Sequence, residues 1–414
     1  MIYTRLAVMM FLQFAVWGAW AVLIAGHMDH LGFSGREISY VFGTTAFGSL
    51  ISPVIAGWVA DRFLPNQVFT AICHFLGAPL LILAWHQTAF LPLWLAIFFY
   101  AMLYMPTIAL TNAIAFHHSD ESRTFGNVRA WGTVGWIAIA WGMSLYLSYR
   151  GRTDPEGVFL GDCLLFAAGL SVLLAIYCLT LPNTPPSRSP ARPYAFLEAF
   201  KLTRNRNFGV LLGVSFVVAI ELPFYYNLTF LFLTEPVHGV GLSASTANFA
   251  MSLGQVGEVA MMLLLGPSLM KLGTRATIAL GILAWPVRYA IFALGQPAWL
   301  VIAAQGLHGI CYSFFFVGGM IAVERLSRGD IRASAQGLIV FATNGVGMLV
   351  GHFFSGWIHD AFRFPDGGHD WALIFLVPIV ITVVAAVLFY RLFDEEAFVE
   401  DADRIAATER TVST

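Results

Sequence analysis

The chain has 414 residues, of which 58% are hydrophobic and 11% charged, with 36 Phe and 12 Trp. Soluble domains carry about 25% charged residues; no soluble packing buries this much apolar surface with so few charges, so the chain reads as an integral membrane protein. Its net charge of −2 gives no reason to expect a nucleic-acid partner.

A helix needs about 20 mostly apolar residues to cross a bilayer. Twelve runs qualify: 6–26, 37–60, 68–86, 91–115, 128–148, 159–181, 207–233, 244–269, 275–294, 298–323, 333–357 and 371–390. They are continuously apolar instead of alternating, which predicts helices and argues against a barrel. The first run is preceded by a single charge, Arg5, and is too long for the apolar region of a cleaved signal, so it is expected to be a permanent span. The four cysteines, Cys73, Cys163, Cys178 and Cys311, all fall inside runs and read as small buried hydrophobes, with no metal or disulfide pattern.

Gly57-Trp-Val-Ala-Asp61-Arg62 follows the second run. A carboxylate at Asp61 gains from the N-terminal dipole of the next helix, so Gly57, Asp61 and Arg62 read as a structural loop and not as solute ligands. A related segment, Gly266 to Lys271, follows the eighth run 209 positions later, and Val128-Arg129-Ala130 is echoed by Ile331-Arg332-Ala333 after 203 positions. The similar offsets indicate an internal duplication.

The longest connection, 182–206, holds Pro182, Pro185, Pro186, Pro190 and Pro193 and then a basic stretch from Lys201 to Arg206. Proline interrupts a helix, and the basic stretch suits a cytoplasmic surface. The expected organisation is a six-helix bundle over 1–181, a cytoplasmic linker over 182–206, a second six-helix bundle over 207–392 and an acidic cytoplasmic tail over 393–414, which has no apolar run and is expected to be mobile. With both termini inside, 16 Lys and Arg fall on cytoplasmic segments and 4 outside. That asymmetry sets the expected topology of a multi-pass plasma (inner) membrane protein.

Polar residues inside spans need a reason to be there. Gln255 and Glu258 lie three apart, on one face of the eighth run. Arg129, Thr133 and Trp136 share a side of the fifth. The seventh holds Glu221, Tyr226 and Asn227, with Pro223 expected to kink it and free a carbonyl. The tenth holds His308, Tyr312 and Ser313. Arg288, in the ninth, is expected to pack or snorkel. Gln13, Asn112, Asn344 and His352 complete the set. Carboxylate, amide, guanidinium and aromatic rings together suit a neutral, polar, partly flat ligand; the alternative is that they join helices by hydrogen bonds. Gly347-x-x-x-Gly351 suits close helix packing. No nucleophile–base pair, metal motif or cofactor loop occurs, so neither an enzyme nor a cofactor is expected.

The six-plus-six layout with Gly-x-x-x-Asp-Arg after the second run resembles the major facilitator superfamily, in which that loop fastens helices at the cytoplasmic face. Within it the sequence resembles the nucleoside:proton symporter family. The resemblance spans nearly the whole chain and rests on Phe11-Leu-Gln-Phe-Ala-Val-Trp-Gly-Ala-Trp20, Ala71-Ile-Cys-His74, Tyr104-Met-Pro-Thr107, Val128-Arg-Ala-Trp-Gly-Thr133, Gln255-Val-Gly-Glu258, Ile331-Arg-Ala-Ser-Ala-Gln-Gly337 and Thr343-Asn-Gly345. It implies that Arg129, Thr133, Gln255 and Glu258 bind nucleoside, with Gln255 and Glu258 on ribose hydroxyls. Trp136 and Tyr312 would stand where the family has phenylalanine against the base. Pro223 falls where the bacterial permeases carry glutamine, and their neighbouring asparagine falls on Tyr226 or Asn227. His308 replaces a tyrosine, and Ser313 replaces an aspartate linked to proton coupling.

The expected function is import of a nucleoside by alternating access, with a proton as coupling ion, by a monomer in the lipid bilayer. Glu258, His308 and Glu221 are the candidate proton carriers. Alternatives are uniport, symport of another sugar-like or polyol solute, and a membrane sensor that binds without transporting.

Overall fold

The computed structural model describes residues 2–60, 63–118, 122–154, 159–185, 199–329 and 331–413. Asp61 and Arg62 of the expected structural loop lie outside these residues, and of Gly57 only its place in a helix is described. The chain is 85% helix, and among the described residues the only strand-like feature is an isolated bridge at Arg363 and His369. The continuous apolarity of the runs accounts for this: in hydrocarbon a helix satisfies its own backbone hydrogen bonds.

Eight helices among the described residues are long and apolar enough to cross a membrane. They are Ile2–His30, Asn66–Trp85, Phe90–His117, Arg206–Thr234, Ala244–Leu294, Ala298–Arg325, Ser334–Ala361 and Trp371–Leu392. Ala244–Leu294 covers both the eighth and the ninth runs, divided at Gly273, whose φ of 80° only glycine adopts readily. Gly35–Ala60, Ser122–Thr153 and Asp162–Cys178 cover the second, fifth and sixth runs. The helices are called spans below, numbered by the runs they cover.

The chain forms two compact units. One holds Met1–Ser189 with Tyr225–Ser252 and His352–Arg363. In it, span one packs on spans five and six, span three on spans four and six, and span two on span four. The other holds Pro190–Phe224, Leu253–Gly351 and Phe364–Thr414, and in it span seven packs on spans eleven and twelve. The Gly347/Gly351 pair brings span eleven against span seven: a Cβ at Gly351 would lie 2.3 Å from the carbonyl oxygen of Ile220.

Span seven is helical through Pro223 and continues as a π-helical turn over Phe224–Leu228. Proline lacks the N–H that the helix requires, and the wider turn absorbs the mismatch. Span ten widens likewise over Cys311–Val317 and span eleven over Phe341–Gly347.

The tail departs from expectation. It is not a loose segment: Glu395–Ser413 is a helix. The Glu395 carboxylate accepts from the backbone N–H groups of Thr274 and Arg275 at 2.8 and 2.6 Å, donors that the Gly273 break leaves without intrahelical acceptors. Asn207 exchanges two hydrogen bonds with the Asp394 backbone, and Asn205 donates to Asp401. A carboxylate at a helix N-terminus is favourable through both its hydrogen bonds and the dipole.

Candidate functional site

In the first unit, Arg129, Thr133 and Trp136 lie half-buried along span five. Span five can approach span one because Gly135 has no side chain; a Cβ there would lie 2.1 Å from the carbonyl oxygen of Phe11. This close packing sets the Arg129 guanidinium 3.9 Å over the Phe14 ring, a cation–π contact. The Trp136 ring meets Trp17 edge-on at 5.7 Å, and Trp17 meets Tyr104 at 6.0 Å. The result is an aromatic wall with one planar cation. Phe14 and Trp17 stand in the quoted span-one motif, but nothing in their spacing marks them as neighbours of Arg129.

A buried polar network ties this wall to the helices around it. Gln13 donates to the Thr107 hydroxyl at 2.8 Å, which itself donates to the Tyr104 carbonyl. That orients the Gln13 carbonyl toward Nε2 of His74, at 3.0 Å, so Nε2 is the donor. Nδ1 of His74 then accepts from Ser171 at 2.8 Å. The Tyr104 hydroxyl closes the network on the Gln13 backbone carbonyl at 2.7 Å.

In the second unit, spans eight and ten touch backbone to backbone. A Cβ at Gly309 would lie 2.2 Å from the carbonyl of Gly257, and one at Gly257 would lie 2.5 Å from that of Gly306. Gln255 and Glu258, both half-buried, flank Gly257. Ser313 donates to the Glu258 backbone carbonyl at 3.2 Å, so its hydroxyl fastens the two helices. Tyr312 lies beside His308, ring centroids 6.1 Å apart.

The same unit buries a charged cluster. Glu221 and Arg288 are 0% exposed, and His308 1%. Arg288 does not snorkel: its Nη1 lies 3.1 Å from Nδ1 of His308 and its Nη2 is 3.4 Å from the Tyr289 hydroxyl. A guanidinium has donors only, so Nδ1 of His308 accepts. Arg288 lies within electrostatic reach of the Glu221 carboxyl and the Tyr289 hydroxyl stands beside it as a hydrogen-bonding neighbour, although neither carboxyl oxygen reaches full hydrogen-bond geometry. Sequence reasoning left Arg288 and Tyr289 out of the site. The available signal was that an arginine and a glutamate buried in neighbouring spans call for one another.

Asn227, weighed above as a solute ligand, is fully engaged in the first unit. Its Nδ2 donates to Ser355 at 2.9 Å and to Ser39 at 3.2 Å, and its Oδ1 pairs with Nδ1 of His352 at 3.0 Å. The His352 ring stacks on Phe42 at 6.1 Å. Tyr226 is half-buried beside Tyr225.

Known proteins resemble this chain over most of its length. The chain is 33% identical to the putative nucleoside transporter YegT of Escherichia coli K12, over 94% of this chain and 93% of that one. It is 30% identical to the nucleoside permease NupG of the same organism, over 94% and 95% of the two chains, and 30% identical to its xanthosine permease, over 93% and 94%. The crystal structure of nucleoside transporter NupG superposes with a TM-score of 0.83 at 28% identity, covering 95% of this chain and 99% of that one. At the level of fold alone, the D-xylose-proton symporter matches with a TM-score of 0.66 at 12% identity, over 95% and 99% of the two chains. The fold is the all-α, polytopic one of major facilitator transporters. A profile described as "Nucleoside H+ symporter" matches residues 1–397, and the chain belongs to that family of transporters.

Proposed function

We infer that this protein is a secondary active transporter that imports nucleosides together with protons by alternating access of its two six-span halves, 1–181 and 207–392. The observation that carries this reading is the family match over residues 1–397. Arg129, Thr133 and Trp136 in one unit, and Gln255, Glu258 and Tyr312 in the other, supply the chemistry a nucleoside needs. Carboxylate and amide oxygens accept from ribose hydroxyls, the guanidinium donates in a plane, and rings cover the base. Tyr226 is a further candidate ligand, and Asn227 becomes one only if its bonds to His352, Ser39 and Ser355 open. In this reading the protein is a monomer of the inner membrane with both termini in the cytoplasm.

Ser313 favours a second reading, uncoupled transport. Its hydroxyl does not titrate at ordinary pH, and it is engaged with the Glu258 backbone. Another group must then carry the proton, or the chain is a uniporter.

Counterflow in proteoliposomes separates these readings from a sensor. Vesicles preloaded with unlabelled nucleoside should draw in labelled nucleoside. Exchange of sugars or polyols without nucleosides would replace the substrate class, and no exchange of any solute would point to a sensor.

A further inference from the structure

We propose that Glu221 is the proton-carrying group of this transporter and that Arg288 is the cation that receives its charge; this rests on the reading of the chain as a proton-coupled nucleoside importer. Glu221 is completely buried; neither of its oxygens reaches full hydrogen-bond geometry, and its one hydrogen-bonding neighbour is the Tyr289 hydroxyl. A buried neutral carboxyl with only a tyrosine hydroxyl beside it costs little compared with a buried carboxylate without a cation. The group therefore has two natural arrangements. As the acid it leaves Arg288 to His308 and Tyr289, the arrangement seen here. As the carboxylate it calls Arg288 toward itself.

The surroundings of Glu221 narrow the choice of carrier. Span nine presents Arg288 and Tyr289, and span ten presents His308 and Cys311. Span eight, packed on span ten, contributes Glu258. Of spans eleven and twelve, packed on span seven, span eleven brings His352, whose Nδ1 is engaged with Asn227, and His359 and Asp360 only at its far end. The segment Phe341–Gly347 has no titratable residue, and Trp371–Leu392 has only Tyr390 and Arg391, at its far end. A proton on Nδ1 of His308 would break the bond to Arg288 and set two cations together, so His308 is a positioning residue for Arg288. Glu258 is assigned to the solute. Glu221 is the carboxyl that remains.

The proton balance is simple. A proton from water adds to one Glu221 oxygen and forms an O–H bond. Release of the same proton to water on the inner side breaks that bond and leaves the carboxylate to Arg288. Solute binding connects to this step through the backbone. His308 adjoins Gly309, which presses on Gly257 between Gln255 and Glu258. A shift of span eight on solute therefore moves span ten, and with it the acceptor that holds Arg288.

The test uses the full chain in proteoliposomes with labelled uridine, comparing wild type, Glu221→Gln and Glu221→Asp. One pH unit across the membrane, inside alkaline, drives about tenfold accumulation for one proton per solute. Wild type should accumulate; Glu221→Gln should equilibrate without accumulating yet keep counterflow; Glu221→Asp should accumulate with a shifted pH midpoint. Accumulation by Glu221→Gln equal to wild type overturns the assignment. So does loss of counterflow together with accumulation in a folded, uridine-binding Glu221→Gln, since the residue would then serve movement itself. If Glu221→Gln does not fold, an unmoved pH midpoint in Glu221→Asp overturns it. Wild type with counterflow but no accumulation overturns it too, whereas wild type without counterflow of any nucleoside sinks the underlying function instead.

Discussion

Nη1 of Arg288 lies 3.1 Å from Nδ1 of His308, with the two side chains 0% and 1% exposed. A cation thus donates to a neutral imidazole in the middle of an apolar unit, where each needs the other. His308→Phe removes the acceptor and should destabilise the protein by roughly 1.5–3 kcal/mol, the worth of a charge-assisted hydrogen bond. His308→Gln keeps an acceptor and should lose less. Thermal unfolding in detergent checks the order; equal midpoints for the two variants would show that the bond contributes nothing.

Glu258→Gln should weaken nucleoside binding by about one to two decades while leaving the fold intact, because a neutral amide replaces a charge-assisted acceptor worth roughly 1.5–3 kcal/mol. Titration calorimetry on purified protein measures this. Wild-type affinity in the variant would remove Glu258 from the site.

Arg129→Lys should slow counterflow even though the charge is kept. Lysine has neither the planar fork nor the flat face that lies 3.9 Å over Phe14. Full activity in the variant would reduce Arg129 to a positive charge.

Gly309→Ala should destabilise the chain and Gly306→Ala should not. The first Cβ would fall 2.2 Å from the Gly257 carbonyl, whereas the second would meet nothing within 4 Å. Overpacking of this kind costs about 1–3 kcal/mol. Similar unfolding midpoints would mean that spans eight and ten are not in backbone contact.

Much of this architecture is legible in the sequence, because continuous apolarity reports a spanning helix directly. The runs near 244–269 and 275–294 are an instance: even their division is marked by a glycine, Gly273. What stays hidden depends on tertiary packing. No local pattern says that Glu221, Arg288 and His308, on three separate spans, meet in one buried cluster, although each was visible as a polar residue in a costly place. The tail misleads for a different reason. Its acidic composition reads as solvated chain, yet Glu395 is the cap for the donors that the Gly273 break exposes. Arg129 and Trp136 were recognisable by residue type and spacing, but the Phe14 and Trp17 rings beside them come from a helix more than 100 residues earlier and carry no local signal of that proximity.

Proton-coupled import of nucleosides is tested most directly by uptake of labelled uridine into proteoliposomes of the wild-type protein at matched internal and external pH and then with the inside made alkaline. Coupled import gives equilibration in the first case and accumulation above the external concentration in the second, abolished by a protonophore. Equal uptake under both conditions, with counterflow intact, would contradict it and make the protein a uniporter.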